Sequence, residues 1–216
     1  MQDIFIYGCG GFGREVLQVV RAINEQKPTW NVRAFVVGQG VDHPETVHGL
    51  KVIEESELDT ASGTVNFAIG IGDPNARARI VAALGPFGVE FPTLVHPRAW
   101  IGDCVKLGPG VIVCACACLT TDIEIGDHVH VNLSATIGHD ANIGAFSTIS
   151  PGANISGNVT FGTGVEIGTG ATVIQGIAIG DHCVIGASAA VVREIPSYST
   201  AVGVPAKVIS STGKPG

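Results

Sequence analysis

From residue 125 the chain reads Ile125-Gly126-Asp127-His128-Val129-His130, Val131-Asn132-Leu133-Ser134-Ala135-Thr136, Ile137-Gly138-His139-Asp140-Ala141-Asn142 and Ile143-Gly144-Ala145-Phe146-Ser147-Thr148. Each block of six opens on a large aliphatic residue, and four positions later stands a small or β-branched one. The rule extends in both directions: every sixth residue from Val95 to Val191 is Val, Ile, Leu or Phe, seventeen positions without a break. Glycine often follows directly, as at Gly102, Gly108, Gly126, Gly138, Gly144, Gly162, Gly168, Gly180 and Gly186. A period of six cannot form an amphipathic helix, whose period is 3.6. It fits a solenoid in which one hexad makes one flat face and three hexads close a triangular coil. One large and one small inward residue per face fill the narrow interior, and glycine is expected to supply the corner dihedrals. Sixteen hexads from Ile101 give about five coils, stacked roughly 4.8 Å apart.

Before this array the pattern differs. Ile4–Tyr7 is a short apolar run stopping at Gly8, and Val16, Leu17, Val19, Val20 and Ile23 then recur at helical spacing. Val32–Val37, Thr64–Ile71 and Phe91–Val95 read as further strands. Asp73-Pro74 sets an N-cap acid before a first-turn proline and starts a helix through Arg77, Ile80, Val81 and Leu84. Strands alternating with helices predict a small, Rossmann-like parallel α/β sheet. Residues 1–96 hold eighteen charged residues and residues 97–196 only eleven, so a boundary falls near His96-Pro97: an α/β domain over 1–96, then an all-β coil over 97–216.

Composition excludes several classes. A net charge of −7 with no Lys/Arg cluster argues against a nucleic-acid binder. The longest apolar run, Val111–Leu119, is too short to cross a bilayer, and no basic segment precedes an apolar one at the N-terminus, so no secretory leader is expected. Six irregularly spaced cysteines do not make a secreted disulfide scaffold. The mean hydropathy of +0.38 predicts that one flank of the coil is buried against other subunits.

The array ends in Val191-Val192-Arg193-Glu194-Ile195-Pro196 and Gly203-Val204-Pro205-Ala206-Lys207-Val208-Ile209, and it resembles the hexapeptide-repeat acyltransferases. With Gly8-Cys9-Gly10-Gly11-Phe12-Gly13-Arg14-Glu15-Val16, Ala68-Ile69-Gly70-Ile71-Gly72-Asp73 and Val95-His96-Pro97, the layout resembles the NeuD/PglD-type sugar acetyltransferases, which modify sialic acids or nucleotide-linked amino sugars. The resemblance implies a left-handed parallel β-helix and a cytoplasmic homotrimer serving bacterial surface-glycan biosynthesis. Acetyl-CoA would lie between neighbouring β-helices of the trimer, and the sugar nucleotide would be held partly by the N-terminal domain. N-acetylation of a nucleotide-linked amino sugar is the expected reaction. O-acetylation of sialic acid or another sugar hydroxyl, and a non-catalytic sugar-nucleotide-binding solenoid, remain the alternatives.

His139 stands out because its hexad sends Ile137 and Ala141 inward and the imidazole outward. On pattern alone a solvated surface histidine is the simpler reading. The resemblance assigns it the general base, because an amine or hydroxyl attacking a thioester must lose a proton and an imidazole with a reference pKa near 6.5 can accept one. Asp140 is implied as its acidic helper and Asn132 as a nearby polar group. Many relatives carry a second histidine nine residues after the base, touching the thioester carbonyl; here Thr148 stands there, with a hydroxyl able to donate one hydrogen bond. Thr148, Gly157, Gly168, Thr169, Gly203 and Lys207 are the implied acetyl-CoA residues, and Gly10, Gly11, Phe12 and Gly72 the implied sugar-nucleotide residues.

Other readings carry less. Gly8, Gly10 and Gly13 satisfy G-x-G-x-x-G, but an NAD site wants an acid at the end of the second strand, and none comes before Asp42. Cys114-x-Cys116-x-Cys118 is too tightly spaced for zinc and reads as small filler, and no metal is expected. His128 and His182 share an Ile-Gly-Asp-His corner, which reads as repeat structure. Thr120-Thr121, Thr148 and Thr160 do not repeat in register, which argues against an ice-binding ladder.

Overall fold

The computed structural model describes residues 1–58 and 65–211. The α/β unit begins with β1 (Gln2–Tyr7), α1 (Gly11–Gln26), β2 (Trp30–Val37), β3 (Thr46–Val47) and β4 (Leu50–Glu54). It continues with β5 (Asn66–Ile69) and α2 (Pro74–Leu84). Strand order is β3-β4-β2-β1-β5, parallel except for β3. The β3–β4 hairpin is an addition to the expected parallel sheet, and His48 and Gly49, both at positive φ, make its tight turn. Of the run expected from Thr64 to Ile71, Thr64 lies outside the described residues. The helix signal at Asp73-Pro74 holds: the Asp73 carboxylate accepts from Asn75 N and Ala76 N, and Pro74 occupies the first turn.

The hexads form a left-handed parallel β-helix. Strands pair with those eighteen residues on, as in Cys118–Thr136–Asn154–Thr172. The first face carries Leu94–Val95, Ile112–Val113, His130–Val131, Thr148–Ile149, Glu166–Ile167 and Val184–Ile185, closed by the antiparallel pair Ser199–Val202 and Lys207–Ser211. The second runs from Trp100–Ile101 to Ala190–Val191 and the third from Lys106–Leu107 to Ala178–Ile179. Large and small hexad positions fill the interior: Ile137, Val131, Ala135 and Ile149 are all 0% exposed. Phe91–Val95 does not supply a strand of the α/β sheet. Leu94–Val95 pairs with Ile112–Val113 on the first face, and only Glu90 bridges to Asn66.

The corner dihedrals differ from expectation. Left-handed φ falls three residues after each large apolar residue, at fifteen positions from Cys104 to Ser188, and only five of these are glycine. The glycines that directly follow the large residues serve another need. A Cβ on Gly102 would lie 1.7 Å from Thr120 O, and one on Gly168 would lie 2.5 Å from Ala187 N. Those positions must be glycine because the next coil is stacked against them.

The first face meets the α/β unit. Val16, Leu17, Val19 and Val20 of α1 pack with Ile4, Ile6 and Phe35 of the sheet and with Leu94, Ile112 and Cys114 of the coil. Helix α1 is thus sandwiched between the sheet and the coil. Part of the apolar surplus expected to face other subunits is covered within the chain itself.

Candidate active site

His139 lies at the corner between the second and third faces, with half its side chain exposed. Asp140, next to it, adopts φ 58°, which aspartate tolerates better than most residues. Its Oδ2 lies 2.7 Å from His139 Nδ1. With Nδ1–H donated to the carboxylate, the tautomer is fixed and the lone pair sits on Nε2. Nε2 takes part in no hydrogen bond among the described residues. The ring lies over Gly157 one coil on: a Cβ there would come within 2.5 Å of Nε2 and 2.6 Å of Cε1. Gly157, expected beside acetyl-CoA, is the floor under the imidazole.

The other expected acetyl-CoA residues are dispersed. Thr169 is exposed at a corner, above a glycine (Gly168) required by stacking. Gly203, at φ 97°, and Lys207, exposed, belong to the hairpin that ends the coil. Asn132 is at the corner between the first and second faces, where its Oδ1 accepts from Leu133 N at 2.7 Å and its amide nitrogen donates to no described residue. Within the chain it is on a different corner from His139.

The glycine turn of the α/β unit splits into two functions. A Cβ on Gly13 would be 1.8 Å from Gly8 O, and one on Gly70 would be 2.6 Å from Gly13 Cα. Gly8, Gly13 and Gly70 therefore let α1 close onto β1 and β5. Gly10, Gly11 and Gly72 are exposed, and a Cβ on any of them would meet nothing within 4 Å. They form an open edge at the carboxyl ends of β1 and β5, where α/β sheets take their ligands. Phe12 turns from this edge to the coil, its ring 4.7 Å from that of His130.

Thr148 departs from its expected place. Its hydroxyl donates to Gly72 O at 2.9 Å and accepts from Arg77 Nη2 at 3.0 Å, in the buried seam between the two units. The single proton is committed there, in the seam rather than beside His139. Arg77 was legible only as one position of the α2 run, yet it is 0% exposed. Its Nε donates to His128 O, Nη1 to Ile71 O and Gly72 O, and Nη2 to Phe146 O and Ser147 O. It makes no ion pair among the described residues; Asp73 and Glu166 act on it at longer range. Burial pulls the guanidinium down to about 9, still charged at neutral pH.

Two histidines flank it. His128 stacks on Phe146 and meets Phe91 edge to face, and burial lowers it to about 4. His130 is 1% exposed, is lowered well below 6.5 by burial, and its ring nitrogens meet no well-formed hydrogen-bond partner among the described residues. His182 occupies the same corner as His128 three coils on and stacks on Tyr198, as the shared motif implied. Cys114 is buried and its thiol pushed up to about 12, Cys116 is exposed and Cys118 half-buried. No group of His, Cys, Asp or Glu suited to a metal occurs among the described residues, and no described helix is long and apolar enough to cross a membrane.

Residues 3–84 match the family described as PglD N-terminal domain. Over 98% of both chains, the fold superimposes on a histidine-to-asparagine variant of perosamine N-acetyltransferase from Caulobacter crescentus, solved with CoA and GDP-perosamine, at 30% identity and a TM-score of 0.89. The acetyltransferase domain of PglB from Neisseria gonorrhoeae covers 97% of this chain and 100% of its own, with 30% identity and a TM-score of 0.87. The chain is 29% identical over 136 residues to a curated GDP-perosamine N-acetyltransferase of Escherichia coli O157:H7. That match spans 62% of this chain and 61% of the relative's length.

Proposed function

The chain belongs to the NeuD/PglD-type sugar acetyltransferases, and from that premise we propose that it moves the acetyl group of acetyl-CoA to the amine of a nucleotide-linked amino sugar, with His139 as general base. The carrying observation is the 2.7 Å contact between His139 Nδ1 and Asp140 Oδ2, which leaves Nε2 unbonded at an exposed corner. Nε2 accepts a proton from the amine as its nitrogen bonds to the thioester carbon, and Asp140 stabilises the resulting imidazolium. When the C–S bond breaks, the thiolate of CoA leaves and the imidazolium can return that proton to it.

The sugar nucleotide lies along the open edge of Gly10, Gly11 and Gly72, with Phe12 at its coil end. The GDP-perosamine seen with the Caulobacter relative makes a GDP-linked 4-amino sugar the first substrate to try. We assign residues 1–96 to the sugar nucleotide and 97–216 to acetyl transfer, the acetyl-CoA lying between neighbouring β-helices of a homotrimer with Asn132, Gly157, Gly168, Thr169, Gly203 and Lys207 near it. Such an enzyme works in the cytoplasm, in bacterial surface-glycan biosynthesis, where both substrates are made.

Release of CoA thiol, followed over a panel of nucleotide amino sugars and sialic acid, tests the reaction. His139→Ala should lower kcat by about 10²–10⁴-fold and leave the melting temperature unchanged, since the side chain fills no core. Near-normal turnover in that variant would remove His139 from the mechanism. Light scattering should give a trimer, and a stable monomer at micromolar concentration would overturn the assembly.

A further inference from the structure

The seam holds an arginine that the proposed chemistry does not use. Arg77 is fully buried and reaches carbonyls of three separated segments: Ile71 and Gly72 on the β5–α2 loop, His128 at one coil corner, and Phe146 and Ser147 one coil on. A seam needing only cohesion would be served as well by an apolar side chain, because a buried charge is stabilising only when its partners are ideally placed. What a guanidinium adds is direction, since its planar fork fixes five N–H donors at set angles. Here that fork binds one loop of the α/β unit to the coil.

The loop it fixes is one of the two glycine loops that make the open edge. Gly72 O accepts both from Arg77 Nη1 at 3.1 Å and from the Thr148 hydroxyl at 2.9 Å, and that hydroxyl in turn accepts from Arg77 Nη2 at 3.0 Å. Arg77, Gly72 and Thr148 thus close a triangle of hydrogen bonds on the inner side of a residue whose own Cβ position is open. We propose that Arg77 and Thr148 are positioning residues for the acceptor substrate: they lock the Gly70–Asp73 loop to the coil and so set where the sugar nucleotide stands relative to the base. This rests on the reading of the chain as a nucleotide-sugar acetyltransferase. Neither side chain touches the reacting atoms.

The test uses the full-length protein with GDP-perosamine and acetyl-CoA as probes, in Thr148→Val, Thr148→Ser and Arg77→Lys. Thr148→Val is nearly isosteric and removes only the hydroxyl, so it remains informative if Arg77→Lys fails to fold. It should raise KM for GDP-perosamine about 5–20-fold while KM for acetyl-CoA stays within about twofold, the split expected when one ligand's site is disturbed. Thr148→Ser should restore KM to within about threefold of the parent. Amide hydrogen exchange should quicken in residues 70–73 of the Val variant and stay unchanged in α1 and the coil. Unaltered KM and exchange in Thr148→Val would overturn the proposal, as would a parallel rise of both KM values with a fall in melting temperature. If the parent protein acetylates nothing, the functional reading fails, and the exchange result alone still decides whether the clamp exists.

Discussion

A Cβ on Gly157 would meet the imidazole of His139, whereas a Cβ on Gly102 would meet the carbonyl of Thr120. The two glycines stand at adjacent hexad positions, one residue after Ile101 and two after Ile155, and should fail differently when replaced. An exposed imidazole can rotate aside, so Gly157→Ala is expected to cost stability little, about 1 kcal/mol or less, while lowering kcat at least ~10-fold by displacing the base. A backbone carbonyl in a stacked coil cannot yield in that way, so Gly102→Ala should cost more than about 2 kcal/mol. Thermal unfolding and steady-state rates on both variants check the pair; an inactive but equally destabilised Gly157→Ala would mean that its glycine serves stacking as well. The sequence made the need for small residues at these corners legible but not its cause. Composition cannot distinguish a glycine demanded by φ from one demanded by a neighbouring coil. The left-handed dihedral sits largely on other residues, on types that tolerate it such as Asp140 and Asn158 but also on Cys104 and Phe146, whose types do not announce it.

Helix α1 shows what a local pattern carries and where it stops. Its buried stripe was readable because spacing of 3.6 is a property of the segment alone, and so was the glycine turn before it. That the far side of α1 meets Leu94, Ile112 and Cys114 of the coil was not readable, because those contacts join residues some eighty to a hundred positions apart. Arg77 was hidden for the same reason: its coil partners are 51 to 71 positions away, and an arginine in a helix is ordinarily solvated. Within the turn, Gly13→Ala would drive a Cβ to 1.8 Å from Gly8 O and should unfold the α/β unit. Gly11→Ala meets open space at the first position of a helix, where alanine is favoured by roughly 0.5–1 kcal/mol in a helix interior and by no more here. It should leave the melting temperature level or slightly raised, and raise only KM for the sugar nucleotide. An equal loss of affinity for acetyl-CoA would place both ligands on the same unit.

The molecule as a whole is held together by a seam that is apolar at α1 and cationic at Arg77. The groups facing Arg77, His128 and His130 are Asp73 at the N-cap of α2 and Asp127 and Glu166 on the coil, none of which makes an ion pair with them among the described residues. Burial keeps both histidines neutral, His128 down to about 4 and His130 well below 6.5. Above pH ~6.5 neither the folded nor the unfolded chain protonates them, so they leave stability unaffected. As pH falls from there, the unfolded chain takes up protons that the folded seam refuses, and stability declines until His128 also charges near 4. Burial raises the Glu166 carboxyl, so the folded state gains that proton first and returns part of the loss as pH approaches ~4.5. Two depressed histidines outweigh one raised carboxyl, and the melting temperature should fall between pH 6.5 and 4.5. His128→Phe isolates one contribution. Phe146 already holds the same corner dihedral one coil on, φ 60° against 56°, and an aromatic ring keeps both the stack on Phe146 and the edge contact with Phe91. The backbone carbonyl that accepts from Arg77 is retained. This variant should fold and bind as the parent does, with a visibly shallower decline of melting temperature over that pH range. An identical slope in the variant would show that acid loosens the protein somewhere other than this seam.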